Sequence, residues 1–168
     1  GAIGLFDDNF WGTALRIGIE GYGGERRQNV AISLNADRIW KTMFTSKLMA
    51  MYHREKYDHY RNFEVIDGDW VERTGTMAAF GHQIEKFGTL WGEIESQRIR
   101  VSPIREGTRE VKHYIVHKLR LRSVVDTYDR KQFPNCGNLY KLFFETSQDI
   151  LGGETSFTKF LAKFGTYY

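Results

Sequence analysis

The sequence is poor in the residues that punctuate or staple a chain. It holds two prolines and one cysteine in 168 residues. So little proline excludes a Pro-rich stalk or linker. A single thiol, Cys136, excludes an internal disulfide framework, and the chain must be held together by packing. No apolar run approaches the length of a membrane-spanning helix. No internal repeat or low-complexity segment occurs. Charge is nearly balanced, with 24 Lys and Arg against 21 Asp and Glu, a net of +3. That excess is too small to imply a nucleic-acid partner by itself.

What is present is apolar and aromatic mass. Leu, Ile, Val and Phe make up 43 of the 168 residues, enough to build a core. Aromatic residues reach 15%. Protein interfaces are enriched in aromatics and Arg, so this composition favours interaction over catalysis.

The basic residues are unevenly placed. Between Gln97 and Gln132 ten basic residues face only Glu106, Glu110, Asp126 and Asp129, so the segment carries +6 and the rest of the chain −3. Such asymmetry suits an anionic partner: RNA, lipid headgroups or an acidic protein surface.

The order of elements follows from periodicity. Residues 1–13 read as an N-terminal arm in which Phe6, Phe10 and Trp11 need a surface to cover them. Leu15, Ile17, Ile19 and Val30, Ile32, Leu34 alternate with smaller or polar residues, which predicts a hairpin around a glycine-rich loop. Between 35 and 61 the apolar stripe Trp40, Phe44, Leu48, Met51, Tyr52 is spaced four, four, three and one, widened by Ile39 and Met43. That spacing predicts a long helix. Asp67-Gly68 suggests a tight turn between two further strands. Residues 76–88 are ambiguous between helix and strand. Strands return at 90–103 and 109–125. In the latter, Val111, His113, Ile115, His117, Leu119 and Leu121 share one face; Lys112, Tyr114, Val116, Lys118, Arg120 and Arg122 share the other. A helix is expected from Asn138 to Leu151, stopped by Gly152-Gly153, and a last short helix from Phe157 to Phe164.

The predicted architecture is therefore α+β. A mostly antiparallel sheet is packed by one long helix (about 35–61) and by shorter C-terminal helices. Residues 14–153 form the single domain, and 154–168 form an amphipathic docking segment.

No motif specifies a reaction. The glycines at 18, 21, 23 and 24 with Arg26 and Arg27 sit between two strands, where a nucleotide fingerprint would open a helix. His113 and His117 lack the partners for a tetrahedral metal set. Cys136 lacks an assignable activating base. Asp67 and Asp69 read as turn residues. Catalytic, cofactor and metal sites are accordingly not assigned, and no cofactor is expected.

The expected function is that of a non-enzymatic structural or accessory subunit of a multiprotein assembly. It would dock through Phe6, Phe10, Trp11, Phe157, Phe160, Phe164, Tyr167 and Tyr168. A basic sheet face of Arg98, Arg100, Lys118, Arg120 and Arg122 would meet an acidic neighbour. The first alternative is an RNA-binding module using the 98–122 basic face. The second is a small enzyme or ligand-binding domain with a pocket between the long helix and the sheet. The single thiol would tolerate a reducing compartment without proving one, so the location is left unassigned, with an intracellular or organellar one expected ahead of secretion.

Overall fold

The computed structural model describes the chain except residues 38, 40, 41, 62, 85–87, 106–108, 130–134 and 168, and the side chains of 61 and 64–66. Nine strands follow one another: β1 (Ala2–Phe10), β2 (Leu15–Gly23), β3 (Arg27–Ala36), β4 (Phe44–Arg61), β5 (Glu64–Ile84), β6 (Gly88–Pro103), β7 (Lys112–Asp126), β8 (Gly137–Ser147) and β9 (Phe157–Tyr167). They form one antiparallel sheet in sequence order, each strand pairing with the next. Among the described residues helix is confined to 3-10 turns, of which Asp149–Leu151 is one.

The α+β expectation is thus overturned. The predicted helix 35–61 is mostly β4, and its Trp40 lies outside the described residues. The reason is arithmetic. Phe44, Leu48 and Tyr52 are four apart, and four is an even number, so they share one face of a strand as well as one face of a helix. The C-terminal helices are β8 and β9. Asp67-Gly68 is not a turn but lies inside β5, opposite His59 and Asp58 of β4. The hairpin expected at 14–34 is β2 and β3 and the strand expected at 90–103 is β6, while the strand expected at 109–125 begins only at Lys112.

Two runs at the chain ends are edge strands. Ala2–Phe10 pairs with β2, and Phe157–Tyr167 pairs with β8. In the described sheet the far side of each has no partner.

No second layer packs on the sheet among the described residues, yet one face is buried. A twisted sheet of this many strands can cover a face only by curling over it. Cross-strand register defines that inner face. It holds Gly81, Ala79 and Gly75 of β5; Trp91, Glu93, Glu95 and Gln97 of β6; Arg122, Arg120, Lys118 and Val116 of β7; and Phe143, Glu145 and Ser147 of β8. Gly81 is required there: a Cβ would stand 2.6 Å from the Trp91 ring.

Candidate functional site

The burial pattern is inverted relative to a water-soluble protein. Glycines apart, the buried residues in the described chain are Ala79 and Val116 on the apolar side, but Glu93, Glu95, Gln97, Glu145 and Ser147 on the polar side. Large apolar side chains are exposed instead, among them Leu48 at 53%, Ile94 at 64% and Phe160 at 70%.

Register sorts the exposed ones onto one face. The row Ile17, Leu34, Leu48, Ala78, Ile94, Leu119 runs in register from β2 to β7, wholly on the outside. Neighbouring outer positions are Ile19, Val30, Ile32, Phe44, Phe80, Leu90 and Leu121, continued by Tyr140, Leu142, Phe160 and Phe164. This is a continuous apolar band. In β4 it runs from Phe44 to Tyr52, nine residues, the length a tilted strand needs to cross a bilayer core. Aromatic pairs sit towards one rim: Phe44 stacks on Phe80 at 5.2 Å, and Tyr140 meets Phe164 edge-on at 5.9 Å. Patches of this extent do not stay in water on a monomer.

Past the band, β4, β5 and β6 continue with charge on the same outer face. Arg54 Nε lies 3.4 Å from Glu72, and its guanidinium stacks over Trp70 at 4.2 Å. Arg100 Nη1 reaches Glu72 at 4.0 Å. Asp58 accepts a hydrogen bond from Arg26 at 2.8 Å, and its other oxygen lies 3.3 Å from the Lys56 ammonium. With the opposite, inner parity, Arg109 pairs with Asp67 at 2.5 Å and lies 3.6 Å from Asp69, and His59 meets Asp69 at 2.8 Å. Arg109 and the Gly68 amide hold the Asp67 carboxyl below its ordinary range.

The inner face carries a connected ion network. Arg120 joins three carboxylates: Glu95 at 2.5 Å, Glu93 at 3.5 Å, and Glu145 through Nε. Arg122 donates to Glu93 at 2.9 Å, Lys118 to Gln97 at 3.1 Å and Lys159 to Glu145 at 3.3 Å. Four strands are tied together across the concave side. The side chains of Glu95 and Glu145 are 4% and 7% accessible, so their charge is met by these partners rather than by water.

This geometry separates the residues expected to act together. Lys118, Arg120 and Arg122 do share a face, but it is the inner one and their charge is used by Glu93, Glu95 and Glu145. Arg98 and Arg100 are on the outer face. Phe6 lies against Gly18 on the inner side with Arg16 over its ring at 5.1 Å, and Phe10 stacks on Trp11 in the β1–β2 turn at 4.6 Å. In β9, Phe157 and Tyr167 have inner-face parity, and Phe160 and Phe164 point outward; Tyr168 lies outside the described residues. His113 and His117 share the outer face, and no metal-holding cluster occurs among the described residues. Sequence reasoning missed Glu93, Glu95 and Gln97. Their signal was present as polar residues alternating with Leu90, Gly92 and Ile94.

A protein-family model described as the Omp85 superfamily domain matches residues 9–168. No curated protein sequence matches the chain. Among solved structures, the chain is similar to the crystal structure of BamA from Haemophilus ducreyi lacking POTRA domains 1-3. The TM-score is 0.77 and the identity 14%, over 97% of this chain and 33% of that one. The chain thus spans about a third of the length of that structure. At this identity the likeness shows the fold, that of a BamA-like β-barrel.

These findings correct the functional expectation. The expected docking by aromatic tails and a basic face is overturned by the family match and the β-barrel fold, and most of the large exposed apolar residues form one outer band instead. It is not an RNA-binding module: family and fold are those of a β-barrel, and Lys118, Arg120 and Arg122 of the 98–122 face are engaged on the inner face. It is not a pocket enzyme of the kind expected, because the helix that would wall the pocket is strand β4. With a family match covering residues 9–168, the chain belongs to the Omp85 superfamily.

Proposed function

We propose that this chain forms membrane-spanning wall of an outer-membrane β-barrel, and that it serves as a subunit in an outer-membrane assembly machinery, in contact with other proteins there. The observation that carries the reading is the inversion of the two faces, apolar outside and ion-paired inside. Membrane-spanning strands alternate in this sense. No helix among the described residues is long and apolar enough to cross a membrane, which says nothing of strands. Hydrocarbon supplies no hydrogen bonds, so the outer edges of β1 and β9 require pairing strands in a bilayer. The family and the BamA-like fold support the same assignment.

The test is site-directed nitroxide scanning of the full-length protein in phospholipid vesicles, on a Cys136→Ser background. Labels at 46, 48 and 50 are expected to collide with dissolved oxygen, which concentrates in hydrocarbon. Labels at 47, 49 and 51 are expected to be sheltered from it. Loss of this two-residue alternation, or its reversal, refutes the assignment.

A further inference from the structure

The outer band is not uniform. Across β4, β5 and β6 the residues Ala50, Thr76 and Ser96 stand side by side in register, with Ile32 on one flank and His117 on the other. The next row is Val30, Tyr52, Thr74, Arg98 and Ile115. Small side chains over three adjacent strands, walled by large ones, leave a valley of about 750 Å³ open to the outside. Three strands at about 4.8 Å spacing give a floor wide enough for an acyl chain.

The valley ends at the charged collar. Arg98 lines it and has no ion-pair partner among the described residues. Two residues further, Arg100 shares Glu72 with Arg54. Arg26 and Lys56 share Asp58. In the two rows at the end of the valley three cations, Arg54, Arg98 and Arg100, thus stand with the Glu72 carboxylate, and the nearby Glu154 carboxylate accepts the Ile115 amide at 3.3 Å. The excess positive charge lies where a headgroup phosphate sits when an acyl chain fills the valley. Guanidinium groups bind phosphate by paired hydrogen bonds, and a low-dielectric boundary strengthens them.

We propose that this valley binds an anionic, phosphate-bearing lipid, with an acyl chain along Ala50, Thr76 and Ser96 and the phosphate against Arg98 and Arg100. The proposal rests on the membrane-wall reading, since it needs the outer face to meet lipid. It gives the collar a role other than solubility: it would hold one class of lipid at a fixed place on the wall.

The test uses the full-length protein in nanodiscs of phosphatidylcholine containing phosphatidic acid, with retained lipids read by native mass spectrometry. Wild type is expected to retain phosphatidic acid above its share of the bilayer. Arg98→Gln with Arg100→Gln is expected to lower that enrichment by about five-fold for each arginine removed. Ala50→Phe, which fills the floor and leaves the cations, is expected to lower it too. Far-UV circular dichroism and heat-dependent gel mobility check that each variant is folded and inserted. Enrichment that survives both changes in folded protein overturns the site, as does its absence in wild type. Dimers or a bound protein in place of lipid adducts overturn the choice of occupant. Failure to insert into the disc at all overturns the membrane-wall reading, and with it this one, and is told apart by the mobility assay.

Discussion

A single outward substitution at the middle of the band separates a lipid-facing wall from a water-facing one by sign. Leu48 stands four residues from Phe44 and four from Tyr52, between Leu34 and Ala78 on the flanking strands. At about 3.3 Å per residue each rim is about 13 Å away along the strand. An arginine there cannot carry its whole charge to the interface. At a bilayer midplane this costs about 2–4 kcal/mol in a transmembrane barrel. In water the same change would cost far less. Leu48 is 53% exposed, so only its half-buried packing would be lost, and surface changes fall within about 0.5 kcal/mol. The matched control is the next residue, because one step along a strand crosses to the other face. Met49 points inward, opposite Ser33 and Met77. We expect Leu48→Arg to destabilise the full-length protein by about 2–4 kcal/mol and Met49→Arg by less than about 1 kcal/mol. Reversible urea unfolding from phosphocholine vesicles, followed by tryptophan emission, measures both. A Leu48→Arg cost within about 0.5 kcal/mol, or equal costs for the pair, refutes the sidedness argued here.

Two further outcomes follow from the charged regions. Arg120→Met leaves Glu93, Glu95 and Glu145 crowded on the inner face, and losing one partner of a buried ion pair costs about 3–5 kcal/mol. The same unfolding assay should show partial recovery when Glu95→Gln is added, and simple additivity of the two changes would mean the network is not coupled. At the far end, the Asp67 carboxyl is depressed by Arg109 first and by the Gly68 amide second. Its contribution is therefore complete above the unfolded value near 4 and disappears as pH falls through the lower folded one. Carbon-13 titration of Asp67 should show a midpoint below the ordinary aspartate range that moves up in Arg109→Gln; an unchanged midpoint would show that the ion pair is not its cause.

The legible parts of this fold were those where alternation was undiluted. In β2 and β3, Ile17, Ile19, Ile32 and Leu34 alternate with small or polar residues, and in β7 the two faces separate cleanly at Lys118, Arg120 and Arg122. In β4 the alternation is masked from both sides. Ser46 and Ala50 are small residues on the apolar face, while Met49 and Met51 are apolar residues on the inner one. What remains visible is Phe44, Leu48 and Tyr52, which fits either period. In β9 the stripe Phe157, Phe160, Leu161, Phe164 splits between faces, with Phe160 and Phe164 outward and Phe157 and Leu161 inward. That distribution reads as a helix until its neighbours across the sheet are known.

The site was hidden for a deeper reason. Alternation tells which residues share a face and nothing about what that face meets. An apolar face is assigned to the interior because water is assumed to be the surroundings. Replace water by hydrocarbon and the same pattern turns inside out, with no change in any residue. The inner network shows why this had to be settled by register. Arg120 and Arg122 look like a binding surface for an external anion when β7 is read alone. Their counter-charges are supplied by Glu93 and Glu95 on β6 and Glu145 on β8, each more than 20 residues away in sequence. Pairing satisfies them on the concave side. That leaves Arg98 and Arg100, which differ in parity from the residues facing Arg120 and Arg122, as the arginines of the 98–122 set still turned outward. An excess of charge along the sequence thus becomes two separate functions of the sheet, one that ties strands together and one that faces the surroundings.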